Sequence, residues 1–148
     1  MIQKLSIIIP AFNEEKTIAQ VLDIVSNLKL VQNIEKEILV INDFSSDRTR
    51  QLTEEFIASH PESGIKLFNQ KVNQGKGAAL HYGIEQATGD YLIPQDADSE
   101  LDPNDINKLL EEAIEGKLQV VYGSRFLRAE NPNKNVSYFA NQFLTKFS

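Results

Sequence analysis

This chain of 148 residues contains no cysteine and no apolar run long enough to cross a membrane. Without cysteine it forms no disulfide bond and carries out no thiolate chemistry, although this absence does not identify its compartment. The first apolar run, residues 5–9, is far too short for a signal peptide or a membrane span. Internal repeats and low-complexity segments are also absent. The composition is typical of one globular domain with a substantial core.

An excess of basic residues is missing too, because 21 acidic side chains outnumber 15 lysines and arginines. The formal net charge is −6 and the isoelectric point is about 4.9. Sequence-independent binding to nucleic acid needs a basic surface. We therefore expect no nucleic-acid partner for this chain.

The two common glycine-rich nucleotide motifs are absent as well. No Gly-x-x-x-x-Gly-Lys-Ser/Thr segment occurs, which excludes a P-loop protein. The turn after the first apolar run, residues 10–15, contains no glycine, and the later Gly75-Lys76-Gly77 segment lacks the third glycine of the dinucleotide fingerprint. A site for a diphosphate would therefore depend on carboxylates and a bridging cation, with Lys76 or Arg125 adding positive charge.

Apolar runs and helical periodicities alternate along the chain and predict its fold. Short apolar runs predict strands at residues 5–9, 37–41, 65–68, 91–93 and 119–122. Apolar residues at helical spacing predict helices at about residues 18–28, 47–57, 77–86 and 103–115, and a further amphipathic helix at residues 137–147. This alternation predicts an α/β fold, a three-layer α/β/α sandwich with a mainly parallel sheet.

Four carboxylates follow the strand predicted at residues 91–93, namely Asp96, Asp98, Glu100 and Asp102. Aspartates at alternate positions of an extended chain point to the same side and can close on one cation. Carboxylate oxygens suit Mg²⁺ or Mn²⁺ better than Zn²⁺. Because open α/β sheets bind ligands at the carboxyl ends of their strands, this position favours a metal site.

Three other interpretations of the acidic stretch compete with a metal site. Asp102 followed by Pro103 is typical of a helix N-terminus, so we expect Asp102 to cap the next helix. An EF-hand is excluded because its glycine and glutamate positions hold Leu101 and Asn107. A solvated acidic patch without an ion stays open, since Asp-x-Asp alone is a weak signal.

Polar residues follow the other predicted strands as well. Asn13 and Glu14 come after the first strand, Asp43 after the second and Arg125 after the fifth. If these strands are parallel, all of these groups lie along one edge of the sheet together with the acidic stretch. We therefore predict a single site at that edge.

Five segments, taken together and in order, resemble motifs of the family 2 glycosyltransferases, which have the GT-A fold. They are Ile9-Pro10-Ala11-Phe12-Asn13-Glu14-Glu15, residues 42–49, residues 73–79, Gln95-Asp96-Ala97-Asp98 and residues 122–126. The last segment, with residues 95–103, is similar to the polyprenyl-phosphate branch that includes dolichol-phosphate mannose synthases. The resemblance covers nearly the whole chain.

The resemblance implies a role for individual positions. It implies a nucleotide-sugar site formed by Pro10, Ala11, Phe12, Glu14, Asp43, Lys76, Asp96, Ala97, Asp98 and Arg125. It also implies that Asp96, Asp98 and Glu100 hold Mg²⁺ or Mn²⁺, and that Asp96 and Asp98 are the catalytic carboxylates. Asp43 would contact the base, and Arg125 would contact phosphate.

Two positions depart from the family pattern. Asn42 replaces the first acidic residue of the second motif, and Phe44 replaces its glycine. The first change alters the charge near the base and the second alters the turn, so the identity of the base stays open. We assign residues 1–127 to a nucleotide-sugar-binding GT-A domain. Residues 128–148 are expected to be a loop and helix that begin the acceptor side of the same domain, with more chain following in the full-length protein.

The function implied by the resemblance is an inverting, metal-dependent transfer of a sugar from a donor of the GDP-mannose or UDP-glucose type. The acceptor implied by the resemblance is a polyprenyl phosphate. An ionised phosphate needs no general base, and none is evident in the sequence, although a base in a following C-terminal part would explain this equally well. Such an enzyme would act in the cytoplasm at the inner membrane face, with membrane association through further segments or the acceptor lipid.

Three alternatives remain. The chain could be a module that binds sugar nucleotides without turnover, or a family 2 transferase that acts on a glycan hydroxyl in cell-surface polysaccharide synthesis. A nucleotidyltransferase ranks low, because that class grips a triphosphate with a loop rich in glycine and arginine after its first strand. Residues 10–15 contain neither residue type.

Overall fold

A computed structural model describes residues 2–98, 102, 104–123 and 142–146. Within them lies one six-stranded sheet. Its strands are β1 (Lys4–Ala11), β2 (Glu35–Asn42), β3 (Ile65–Asn69), β4 (Tyr91–Pro94), β5 (Val120–Gly123) and β6 (Gln142–Lys146). Their order across the sheet is β3-β2-β1-β4-β6-β5. β1 pairs in parallel with β2 and β4, and β2 pairs in parallel with β3, whereas β6 is antiparallel to both β4 and β5.

Four α-helices cover the sheet in the described part of the chain. They are α1 (Ile18–Asn27), α2 (Thr49–Ser59), α3 (Lys76–Gln86) and α4 (Asn104–Gly116). Short 3₁₀ turns occur at Val31–Asn33 and Pro61–Ser63. The predicted strands and the first four helices are confirmed to within about two or three residues at their ends, which is the usual uncertainty of such boundaries.

The alternation of side chains along β1 separates two apolar cores. Ile7 and Ile9 face a core that also contains apolar residues of α1, α2 and α4. Ile8 points to the other face of the sheet, where it packs with Ala79 of α3. Helices therefore cover both faces, and the predicted three-layer sandwich with a mainly parallel sheet is confirmed.

Helix α3 lies close against the sheet because Gly83 has no side chain. A Cβ atom at this position would lie 2.4 Å from Cγ2 of Ile8 and 3.2 Å from Cγ1 of Ile41. The glycine thus sets the distance between α3 and the neighbouring strands β1 and β2. Among the described residues, no helix has both the length and the apolar character needed to cross a bilayer.

One predicted element is wrong. We expected an amphipathic helix at residues 137–147, but Gln142–Lys146 form strand β6. β6 lies between β4 and β5 and pairs with both, so tertiary pairing outweighs the local helical pattern. The other residues of the predicted helix lie outside the described residues.

Candidate active site

Three neighbouring parallel strands end at the same edge of the sheet, and a cleft lies there. β1 ends at Ala11, β2 at Asn42 and β4 at Pro94. The cleft has a volume of about 290 Å³. It is lined by Pro10, Ala11, Phe12, Glu14, Asp43, Asn73, Gly75, Lys76, Ala79, Asp96, Ala97 and Asp98.

The cleft brings together nine of the ten residues that the sequence predicts for a nucleotide-sugar site. The tenth, Arg125, lies outside the described residues, as does Glu100, the third predicted metal ligand. Asn73, Gly75 and Ala79 also line the cleft, but they were not predicted as site residues. All three belong to the recognised motif at residues 73–79, so that motif was the available signal for them.

The turn after β1 and the turn after β2 are joined by hydrogen bonds. The backbone amide of Asn13 donates to Oγ of Ser45 at 3.0 Å, and the amide of Glu14 donates to Oγ1 of Thr49 at 2.8 Å. In the reverse direction, the amide of Ser46 donates to Oδ1 of Asn13 at 2.9 Å. Asn13 has a positive φ of 53°, a conformation that asparagine tolerates. The two turns therefore form one rigid wall of the cleft.

Acidic side chains complete this junction between the turns. The amide of Glu15 donates to Oδ2 of Asp47 at 3.1 Å, while the amide of Arg48 donates to Oε2 of Glu15 at 3.1 Å. Burial by itself would raise the pKa of Asp47, but the hydrogen bonds from Thr49 and from the Glu15 backbone hold it below its usual value. Asp47 therefore stays ionised as an acceptor for the turn that precedes α1.

Asp43 connects the end of β2 with the turn before α3. Its side chain is almost fully buried, at 2% exposure. Oδ1 accepts a hydrogen bond from the backbone amide of Gln74 at 2.8 Å, and Oδ2 accepts one from the amide of Gly75 at 2.7 Å. Asp43 thus shapes the segment that carries Lys76 into the cleft. Its contact with a base stays a prediction. Each carboxylate oxygen can accept a second hydrogen bond, so the bonds from the two amides are compatible with such a contact.

The two departures from the family motif have different structural settings. Asn42 is buried, donating from Nδ2 to Oδ1 of Asn69 at 2.8 Å and accepting from the amide of Ser45 at 3.2 Å. An amide can both donate and accept, so Asn42 joins β3 to the turn in a way that a carboxylate alone does not. Phe44 is different, because 57% of its surface is exposed and its φ is +59°.

The carboxylates that follow β4 lie at the other side of the cleft. Asp96 is half-buried and forms an ion pair with the ammonium group of Lys76, and Asp98 is exposed. Ala97 lies between them and is buried, with 4% exposure. The backbone of Gln95 donates to the carbonyl of Ile8 at 2.8 Å, which fixes the start of this segment against β1. The carboxylate pair and the lysine thus form a charged region in the cleft.

The donor set of this region fits a hard divalent cation. Mg²⁺ is commonly held by one or two carboxylates together with oxygens of a bound phosphate. Asp96 and Asp98 supply two such carboxylates at the lining of the cleft. Within the part of the chain that the structure describes, no group of three or more Asp, Glu, His or Cys side chains is arranged to hold a metal ion. Glu100, the third predicted metal ligand, lies outside that part.

The order of the motifs and the cleft that they line agree with a comparison of the whole chain. Residues 6–146 match the model of the family described as "Glycosyl transferase family 2". The chain belongs to glycosyl transferase family 2. The predicted family is thus confirmed.

Curated relatives of this family 2 chain include transferases named for lipid-phosphate acceptors. It is 34% identical to a dolichyl-phosphate β-glucosyltransferase of Dictyostelium discoideum, over 82% of this chain and 39% of that protein. It is 31% identical to a dolichol-phosphate mannosyltransferase of Pyrococcus furiosus, over 84% of this chain and 34% of that protein. The chain therefore spans well under half the length of these relatives.

Solved structures of other glycosyltransferases share the fold. A mannosyltransferase from Pyrobaculum calidifontis, in complex with GDP-Man and Mn²⁺, superposes with a TM-score of 0.78 at 18% identity, over 96% of this chain and 44% of that one. A glucosyl-3-phosphoglycerate synthase from Mycobacterium tuberculosis, in complex with Mn²⁺, UDP and glucosyl-3-phosphoglycerate, superposes with a TM-score of 0.64 at 27% identity. That match covers 81% of this chain and 43% of the synthase. The predicted GT-A fold is confirmed by these superpositions.

Proposed function

We propose that this family 2 domain transfers a sugar from a nucleotide-diphosphate sugar to a polyprenyl phosphate, with a divalent cation and with inversion at the anomeric carbon. One observation carries the proposal. Nine residues named from separate motifs line a single cleft at the carboxyl edge of β1, β2 and β4. The cleft combines carboxylates and a lysine with apolar and aromatic surface, which suits a ligand with a charged diphosphate and a flat base.

Asp96 and Asp98 would hold Mg²⁺ or Mn²⁺. When bound, such a cation neutralises negative charge on the diphosphate as it leaves the sugar. The exposure of Asp98 and the half-burial of Asp96 leave both carboxylates accessible from the cleft. The Mn²⁺ and UDP in the synthase from Mycobacterium tuberculosis, which is 27% identical, support the same donor chemistry here.

Lys76 would add positive charge to the diphosphate end of the site. It is the first residue of α3 and lines the cleft, and its ammonium group pairs with Asp96. The N-terminus of α3 therefore also lies at the cleft, and a helix N-terminus favours negative charge. The lysine and the helix together would stabilise the leaving diphosphate.

The nucleoside would lie on the wall formed after β1. Pro10, Ala11, Phe12 and Glu14 line this part, and Phe12 has 47% of its surface exposed. An exposed aromatic ring beside a carboxylate offers both an apolar face and a hydrogen-bond acceptor to a base. Donors of the GDP-mannose and UDP-glucose type are the two candidates.

A polyprenyl phosphate is the proposed acceptor because its phosphate oxygen is already ionised and attacks without a general base. The two curated relatives named for dolichyl-phosphate or dolichol-phosphate transfer support this acceptor class. Such an acceptor would place the reaction at the cytoplasmic face of a membrane.

Isothermal titration calorimetry tests the donor site directly. The chain is titrated with UDP and with GDP, each with and without Mn²⁺, and one diphosphate is expected to bind only with the metal. The Asp96→Ala, Asp98→Ala double variant should lose this binding. The matched control is Glu111→Ala, Glu112→Ala, which removes two exposed carboxylates of α4 outside the cleft and should bind as the wild type does.

A transfer assay then tests the reaction. The matching nucleotide sugar, labelled in the sugar, is mixed with a polyprenyl phosphate and Mn²⁺, and label should pass into the lipid fraction. The anomeric configuration of the product, determined by NMR, should be opposite to that of the donor. Binding without transfer would identify the chain as a nucleotide-sugar-binding module, and no binding of either diphosphate would refute the donor site.

A further inference from the structure

Phe44 has a backbone conformation that a bulky residue rarely adopts. Its φ of +59° lies in the left-handed region, where a side chain on Cβ costs about 1–2 kcal/mol. Glycine would occupy this position without strain. More than half of the phenylalanine surface is exposed, so the ring gains little from burial in the core. The ring is therefore kept at a cost that packing does not explain.

Hydrogen bonds on both sides of Phe44 hold the strained conformation in place. The amide of Asp43 donates to the carbonyl of Ala11 at 2.9 Å, and the Asp43 carboxylate accepts from two amides of the turn before α3. After Phe44, the amide of Ser45 donates to Asn42, and Oγ of Ser45 accepts from the turn after β1. A strained residue fixed from both sides presents its ring in a defined place.

The order of strands locates Phe44 relative to the charged region. Asp96 and Asp98 follow β4, whereas Phe44 follows β2, and β1 lies between these two strands. Neighbouring strands are about 4.8 Å apart, so the ends of β2 and β4 are about 10 Å apart. If the diphosphate lies at the carboxylates, the base of the same ligand extends toward β2. Phe44 directly follows Asp43, a lining residue of the cleft, and is not itself a lining residue, so its ring would reach the base from the rim of the cleft.

We infer that Phe44 is a nucleotide-binding residue whose ring contacts the base of the donor nucleotide at the β2 side of the cleft. This inference rests on the proposed function, because it takes the diphosphate to bind at Asp96 and Asp98. The turn bearing Phe44 is hydrogen-bonded to the turn that carries Phe12, so both exposed rings belong to the same wall. The ring supplies stacking surface that a glycine lacks, and stacking is tolerant of base identity.

The experiment separates a role in binding from a role in folding. The Phe44→Gly and Phe44→Asn variants remove the ring and keep a residue that tolerates positive φ. Both should bind the preferred nucleoside diphosphate about tenfold more weakly in the presence of Mn²⁺. Their thermal midpoints should equal or exceed that of the wild type. Phe44→Tyr keeps the ring and should retain the affinity. Val72→Ala, which trims an exposed apolar side chain between β3 and α3, is the matched control.

Inorganic pyrophosphate with Mn²⁺ serves as a second ligand, because it has the diphosphate but lacks the nucleobase. Its affinity should be the same for the wild type and for Phe44→Gly, because the contact is made only to the base. Equal affinity of wild type and Phe44→Gly for the nucleotide would overturn the inference and leave the proposed function intact. An equal loss of affinity of Phe44→Gly for pyrophosphate and for the nucleotide would also overturn the inference. A wild type that binds pyrophosphate but neither nucleotide would overturn both.

Discussion

At the scale of single residues, Glu37 is a carboxylate held away from water near the start of β2, far along the strand from the cleft. Only 3% of its surface is exposed. Oε1 accepts from Oγ of Ser6 at 2.6 Å and from the amide of Thr88 at 2.6 Å. Lys4 and Lys66 each place an ammonium group 3.3 Å from Oε2. One carboxylate thus joins β1, β2, β3 and the segment before β4.

These contacts make the stability of the domain depend on pH. Burial by itself would raise the pKa of Glu37, but the hydrogen bonds from Ser6, Thr88 and Lys4 outweigh it and lower the pKa from 4.5 to about 2. Because the folded-state pKa is below the unfolded value, the contribution is present above pH 4.5 and is lost as the pH falls toward 2. We expect a loss of about 3 kcal/mol over this range, measured by urea unfolding at a series of pH values.

The Glu37→Gln variant is the control for this pH dependence. It keeps the shape of the side chain but has no titrating proton, and it should be about 1–3 kcal/mol less stable than the wild type at neutral pH. Between pH 4.5 and 2 its stability should fall less steeply than that of the wild type. Parallel curves for the two proteins would show that other carboxylates cause the acid sensitivity.

At the scale of one element, α3 contains two glycines with opposite surroundings. A Cβ at Gly83 would meet Ile8 and Ile41, whereas a Cβ at Gly77 would meet no atom within 4 Å. Gly83→Ala should therefore destabilise the fold by about 1–3 kcal/mol through overpacking. Gly77→Ala should stabilise it by about 0.5–1 kcal/mol, since alanine favours helix. Urea unfolding of both variants measures the difference, and a loss of stability in Gly77→Ala would contradict this account.

The strands also show where a local sequence pattern is enough to predict an element. The runs at residues 5–9 and 37–41 are nearly all apolar, and both form interior parallel strands. Residues 142–146 formed a strand although their pattern predicted a helix, because the deciding partners, Tyr91 and Val120, are remote in sequence. A periodicity measures only local preference, so a short segment inserted between two distant strands was not predictable from it.

At the scale of the whole molecule, β6 joins the edge strand β5 to the rest of the sheet. Thr145 pairs with Leu92 of β4 on one side and with Val120 of β5 on the other. Proline in a central strand removes a ladder hydrogen bond and cannot fit between two neighbours. We expect Thr145→Pro to lower the free energy of unfolding by about 3 kcal/mol or more and to promote aggregation through the exposed edge of β4.

The Thr145→Val variant keeps a β-branched residue and should behave as the wild type does. Circular dichroism during urea unfolding measures the stability of each variant, and size-exclusion chromatography measures aggregation. A Thr145→Pro protein as stable and monodisperse as Thr145→Val would show that β6 contributes little to the fold.

The arrangement of the parallel strands determines how much of the site the sequence could predict. Parallel strands end at one edge, so residues after separate strands were expected to meet, and Phe12, Asp43 and Asp96 do line one cleft. The bonds within the site were not predictable. The pairing of Lys76 with Asp96, and of Asp43 with the amides before α3, depends on distances that only the packed fold sets.

The hydrogen bonds between the turn after β1 and the turn after β2 tie the lengths of the two turns to each other. Glu15 accepts from the amide of Arg48 while Thr49 and Asp47 accept from the amides of the first turn. An insertion in either turn would move its side chains out of reach and leave amides of both turns without acceptors. The two turns can therefore change length in evolution only together, as one unit split between distant parts of the gene.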